Sequence, residues 1–263
     1  MRGAVPRALD WLAGPLAFLA FLLVWKFYVT AYGVSKFILP APEAVLAAFL
    51  RLLGEPRIWS HIGITLYETV AGFAAAVLAG VSLGALMGKL RWLERAFKPF
   101  VIALQVVPKV ALIPLFILWF GFGPESKVVI AAVLGFFPIF TNTLLGVKSV
   151  EAGHRDVMHA LSASRLQTLI CLELPSALPY VLAGMEMGIV LSVIGAVVGE
   201  YLGGNQGLGH MAVATLSNFE VDALFAVILM LSLMGLGLYM CIVLLRRLAI
   251  PWHQSAGQHA DGA

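Results

Sequence analysis

The sequence predicts an all-α, polytopic membrane protein with six transmembrane helices. Three observations carry that reading. Of its 263 residues 61% are hydrophobic and only 12% charged, with a mean hydropathy of +0.95; soluble domains run at about 25% charged. Apolar runs long enough to cross a bilayer, which takes roughly 20 residues, recur along the chain. Between two of them lies a polar island at 148–178, bearing Lys148, His154, Arg155, His159 and Arg165. Short basic loops stay on the cytoplasmic side, so the island is expected there.

The N-terminal unit, 1–61, opens with Arg2 and Arg7 before an apolar run at 11–30. The run is too long for a signal peptide and lacks a small-x-small cleavage site, so it reads as an uncleaved first span. Lys26, Tyr28 and Tyr32 suit its interfacial end. Beyond Pro40 and Pro42, a helix at 43–53 is too short and too charged to cross and is expected on the outer surface. The core, 62–247, holds the other five spans. The first, 62–87, places Gly72, Ala76, Gly80, Gly84 and Gly88 on one face. Such a stripe lets backbones approach in lipid, either inside one subunit or between two. A basic loop, 89–98, follows. Its Gly88-Lys89 lacks the spacing and the Ser or Thr of a phosphate-binding loop, and no nucleotide-binding signature occurs elsewhere.

The next span, 100–120, contains Pro108 and Pro114, with Lys109 between them near mid-membrane. Each proline removes a donor, freeing the carbonyls of Leu104 and Val110, which must be buried or face a wet cavity. An intramembrane lysine marks a functional candidate, or a structural one paired to a carbonyl or carboxylate. The fourth span, 126–147, carries Pro138 and Asn142, the latter suited to a helix–helix hydrogen bond. The fifth, 179–198, holds Glu186 two turns in, placed to pair with Lys109 or with a basic group at the inner surface, and leads to Glu200. Gly203, Gly204, Gly207 and Gly209 then read as a flexible outer loop. The sixth, 223–245, ends on Arg246 and Arg247, and 248–263 reads as a disordered cytoplasmic tail. Cys171 and Cys241 are expected as free thiols.

Within the island, Val157, Met158 and Leu161, then Leu166, Leu169 and Ile170, recur at helical spacing on either side of Ser162-Ala163-Ser164. Ser164 can cap the second helix; Pro175 and Pro179 are expected to stop it and start the fifth span. The element is a helix–turn–helix with one apolar face, suited to the lipid surface or to a cytosolic partner. His154, Asp156 and His159 do not form a convincing metal-binding set.

The island resembles the cytoplasmic loop of ABC-importer permeases, the membrane subunits of binding-protein-dependent transporters. Their motif runs Glu-Ala-Ala, then Gly, then Ile-x-Leu-Pro. Here it ends Leu172-Glu173-Leu174-Pro175, its acid falls on Asp156, its second Ala on Met158 and its Gly on Ser162. Ala163-Ser164-Arg165 and Leu174 to Tyr180 resemble the branch importing nitrate, sulfonates, taurine and pyrimidine precursors. So do Pro108 to Lys127, Phe136-Phe137-Pro138 with Asn142-Thr143, and Gly207-Leu208-Gly209; the likeness covers about 39–208.

The resemblance implies a type I ABC-importer permease fold, used as a homodimer in a cell membrane with both termini cytoplasmic. It implies a cytosolic ABC ATPase that burns Mg-ATP, so no cofactor in this chain, and an extracytoplasmic substrate-binding protein. Asp156, Val157, Met158, Leu161, Ser162, Ala163, Ser164 and Arg165 would dock the ATPase, with Leu174, Pro175 and Pro179 shaping the loop. The translocation path would draw on Pro108, Lys109, Pro114, Asn142, Glu186 and Glu200, for a small anionic or vitamin-precursor nutrient. No enzyme activity and no nucleic-acid partner is expected. The alternative is a secondary transporter driven by an ion gradient, which also uses intramembrane charges and broken helices; the two halves of the sequence show no internal repeat. Eleven Lys and Arg fall on the inner side of this topology (Arg2, Arg7, Lys89, Arg91, Arg95, Lys98, Lys148, Arg155, Arg165, Arg246, Arg247) against five outside (Lys26, Lys36, Arg51, Arg57, Lys127).

Overall fold

The structure, a computed structural model, describes residues 7–251, with side chains from residue 13. Arg2, Arg7's side chain and 252–263 lie outside what is described; the start of the tail expected to be disordered over 248–263 is helical instead, Leu248 and Ala249 closing the last helix. In chain order the helices are α1 (Arg7–Ala31), α2 (Pro42–Leu53), α3 (Pro56–Lys89) and α4 (Arg91–Val106). A 3₁₀ turn (Lys109–Leu112) leads to α5 (Ile113–Phe120) and α6 (Pro124–Lys148). The island holds α7 (Ala152–Ala160), α8 (Arg165–Thr168) and a π-turn (Leu169–Glu173). Then come α9 (Leu174–Gly203), α10 (Leu208–Ser217) and α11 (Val221–Ala249). Among the described residues five helices are long and apolar enough to cross a membrane: α1, α3, α6, α9 with its island lead-in, and α11.

The small-residue stripe of α3 packs within the subunit, against α6. A Cβ on Gly80 would sit 2.9 Å from Ile139, on Gly84 2.8 Å from Thr143, and on Gly88 2.7 Å from Val147. Gly72 meets Ala131 in the same way. Added bulk at such a seam costs roughly 1–3 kcal/mol. The pairings advance together along both helices, so α3 and α6 run in the same direction. The connection between them must therefore cross the layer. Helices α4 and α5 do so as a pair bent by 85°, which makes the sixth span a broken one. The span expected over 100–120 thus begins earlier, at Arg91, and the prolines inside it mark a full break. Pro108 ends the first arm and Pro114 sits in the first turn of the second, where its missing N–H is harmless.

Helix α9 returns antiparallel. Gly184 lies against Pro138 and Asn142, Gly195 against Ala131, and Gly146 against Ala177. Helix α11 runs antiparallel to α9, its start clustered with Ile58, Leu208 and Ala212 and its end reaching Glu186 through Arg246. The molecule thus has two ends. The island end holds the close of α3, α6 and α11 and the start of α9. The far end holds the start of α3, α6 and α11, the close of α9, and α10. Val29 and Val34, at and just beyond the close of α1, share a cavity with Phe219 to Asp222, which puts the close of α1 at the far end too. Helix α2 does not lie free on the surface: Val45, Ala48 and Leu52 are buried, the last two in a cluster with Ala223, Ala226 and Val227 of α11.

Candidate functional site

At the island, α7 is closed by a Schellman turn. The Ser162 N–H donates to His159 O at 2.9 Å and the Ala163 N–H to Met158 O at 2.9 Å. That geometry requires left-handed backbone after the cap, and Ser162 adopts it at φ 54°. Glycine is the residue that takes this conformation without cost, which explains why the related motif has Gly where this chain has Ser162. Ser164 then caps α8 in a full capping box, its Oγ accepting from Gln167 N while Gln167 Oε1 accepts from Ser164 N.

The helical run does not stop at Pro175, as expected, but widens. Pro175 has no N–H, and the Leu174 N–H reaches back five residues to Leu169 O, producing the π-turn. Pro179 lies buried inside α9, and Leu174 is exposed in its first turn. Leu169–Glu173 is therefore a soft joint between α8 and a long rigid helix. Val157 is 57% exposed and Leu161 73% exposed, with Asp156 and Arg165 on the same open surface; Met158 and Ala163 are half-buried. Two ion pairs hold the island to the close of α3 and the start of α4. Glu173 takes Lys89 at 2.9 Å and Arg155 at 3.7 Å. Lys148 meets Glu94 at 2.5 Å.

The broken span brings Pro108, Lys109 and Pro114 together. Lys109 is half-buried; its Nζ donates to Gln105 O at 3.1 Å and sits 4.5 Å from the centre of the Phe137 ring. No carboxylate lies against it among the described residues. A cavity of about 470 Å³ opens beside it, at mid-length of α3 and α6, lined by Ala76, Ala79, Leu104, Phe116, Phe136 and Phe137. A helix broken in mid-layer beside a cavity is an arrangement that membrane transporters use, because loosened backbone is tolerated there only when buried or facing water.

The other polar candidates lie elsewhere. Glu186 pairs with Arg246 at 3.0 Å, the second of its two expected partners. Asn142 donates to Pro138 O at 2.8 Å within its own helix rather than across to a neighbour. Glu200 is at the far end, 1% exposed, and both its oxygens are taken: Thr65 Oγ1 donates to Oε1 at 2.6 Å and Gly209 N to Oε2 at 2.6 Å. Around it lies a polar knot that sequence reading missed. Thr65 Oγ1 also accepts from Leu208 N at 2.8 Å, and His61 Nδ1 accepts from Gly207 N at 3.0 Å. Lys127, 1% exposed, spends its ammonium on three carbonyls, Phe122 at 2.6 Å, Gly123 at 3.1 Å and Gly203 at 2.8 Å. Glu68, 2% exposed, lies against Glu200, and its Oε2 has no hydrogen-bond partner. The glycine-rich stretch is consequently no flexible loop: its amides are ligands of this knot, and α10 starts from it.

Five crossing helices and one broken span, with an exposed helix–turn–helix between α6 and α9, define a polytopic transport protein. The family described as the binding-protein-dependent transport system inner membrane component matches residues 76–252. The chain belongs to it, and is a membrane permease subunit of an ABC importer that forms a translocation path, not an enzyme. It is 36% identical over 241 residues to the riboflavin transport system permease protein RibX of Chloroflexus aurantiacus, covering 92% of this chain and 90% of that one. It is 34% identical to the formylaminopyrimidine transport permease protein ThiX of Halalkalibacterium halodurans, covering 94% and 98%. To the taurine transport system permease protein TauC of Escherichia coli it is 31% identical, covering 91% and 88%. Its fold is similar to an inward-facing structure of the MetNI methionine ABC transporter, with a TM-score of 0.63 at 18% identity over 74% of this chain and 98% of that one.

Proposed function

We propose that two copies of this chain enclose a path for a small nutrient, an anion or a vitamin precursor, handed over at the far end by a substrate-binding protein. ABC ATPase subunits in the cytosol dock on the island and hydrolyse Mg-ATP, and their closure flips access from one side to the other as a rigid-body switch. The observation that carries this reading is the island itself, a capped, exposed helix–turn–helix with bare Val157 and Leu161, projecting between two membrane helices. The island end is the cytoplasmic one in this reading, with both termini beside it. The excess of Lys and Arg there supports that orientation. Pro108, Lys109 and Pro114 form the solute-facing break. The uncompensated ammonium of Lys109 supports an anionic solute, and the relatives named for riboflavin, formylaminopyrimidine and taurine support a small organic one.

Co-purification tests the docking. Asp156→Arg, or deletion of 162–165, is expected to abolish ATPase association while membrane insertion is unchanged; association that survives both changes removes the island from the mechanism. The broken span also suits an ion-gradient transporter. Solute uptake by liposomes holding this chain alone, driven by a proton or sodium gradient without ATPase, would establish that second reading instead.

A further inference from the structure

We propose that Glu94 is a positioning residue through which the docking island moves the broken span, with the Glu94–Lys148 pair acting as the strut. This deepens the importer reading and rests on it. Helix α4 has no buried residue along its whole length, whereas α3 and α6 are buried all along their shared seam. Among the described residues two side-chain contacts tie α4 to another spanning helix, both of them to α6. Near its tip Gln105 Nε2 donates to Thr141 Oγ1 at 3.2 Å, and at its base Glu94 takes Lys148 at 2.5 Å. Glu94 is the better covered partner, its side chain 14% exposed against 43% for Lys148.

Lys148 is the last residue of α6, one past Val147, where the seam with Gly88 ends, and four residues before α7 begins. A shift of α7 therefore reaches α4 through one short segment and one ion pair. The other tie, Arg155–Glu173–Lys89, ends on α3, which the seam and the far-end knot hold in place. With one tie ending on a pinned helix and the other on a loose one, displacement of the island goes into α4. Its far tip is the 85° break that carries Lys109 beside the cavity. The ion pair contributes little to stability, since exposed pairs give about 0–1 kcal/mol; its role is mechanical.

The test uses the full complex of this chain with its ATPase subunits in lipid, Cys171 and Cys241 replaced by Ser. Spin labels at Leu104 in α4 and Leu233 in α11, both exposed, report the distance between the tip of α4 and the packed body. Mg-ATP with vanadate is expected to shift that distance in the parent protein. Glu94→Gln is expected to abolish the shift while ATPase association and hydrolysis stay at the parent rate, and the charge swap Glu94→Lys with Lys148→Glu is expected to restore it. An undiminished shift in Glu94→Gln, or no recovery in the swap, overturns the strut. A parent complex that hydrolyses ATP with a motionless α4 also overturns it while leaving the importer reading intact; failure of any ATPase to associate removes the importer reading itself.

Discussion

The far end and the island end both place charged groups in an apolar chain, and they hold them in opposite ways. At the far end Glu200 and Lys127 are almost wholly buried and satisfied by backbone and hydroxyl groups from α3, the turn before α6, α9 and α10. At the island end the basic groups stand nearly half in solvent over better covered acids and are met by side chains, Lys89 and Arg155 on Glu173, Lys148 on Glu94. Buried polar groups are costly to leave unpaired, so a network of them either holds completely or fails. Exposed ion pairs can break and re-form at little cost. One end is therefore built to stay and the other to move, which suits a subunit that receives force on one side.

Substitutions at four positions test that contrast, from the largest effect to the smallest. Gly207→Val attacks the knot twice, because Gly207 sits at φ 99° and a Cβ there would run into the Glu200 carboxylate. Strain of about 1–3 kcal/mol, from a backbone at φ 99° and ψ 166° that essentially only glycine takes, adds to the loss of buried hydrogen bonds, and thermal unfolding in detergent is expected to find little folded protein. Thr65→Val keeps the shape but strips Glu200 Oε1 and the Leu208 N–H of their partner. The cost is about 3 kcal/mol, read as a lowered unfolding temperature; an unchanged one would mean that the knot is not what pins this end. At the island, Ser162→Gly relieves the strained cap and is expected to stabilise the isolated loop by about 1 kcal/mol, with Ser162→Val weakening both the loop and ATPase binding in a pull-down. Lys26→Ala breaks the exposed pair with Glu43 and is expected to leave the unfolding temperature unchanged. The Lys26 hydrogen bond holds the Glu43 carboxyl below its ordinary range. That contact thus exists at neutral pH and is lost only as pH falls through the lowered value.

The spanning helices were legible because length and apolarity alone decide what crosses a bilayer. Pro108 and Pro114 announced a break, but not its 85° bend, which depends on where α3 and α6 direct the chain. Ser164's cap was readable because capping is local; the αL backbone at Ser162 was not, since nothing in Ser-Ala-Ser demands it. Glu68 could have been found by the reasoning applied to Glu186, as a lone acid deep in an apolar run. His61 and Thr65 could not, because their significance lies in contacts with residues more than a hundred positions away. The glycines at 203–209 read as freedom, whereas their lack of side chains serves close approach to Glu200.

The seam between α3 and α6 has a consequence for alignment. Its small residues recur every fourth position, and slipping one helix by a turn, about 6 Å at 1.5 Å per residue, would again set glycine or alanine opposite most of the same partners. Such a rack of equal teeth fits at more than one notch. The unique notch is chosen at the end of α9, which Thr65 of α3 grips at Glu200 and Lys127 of α6 grips at the Gly203 carbonyl, so a handful of polar atoms at one tip sets the vertical alignment of the whole helical stack.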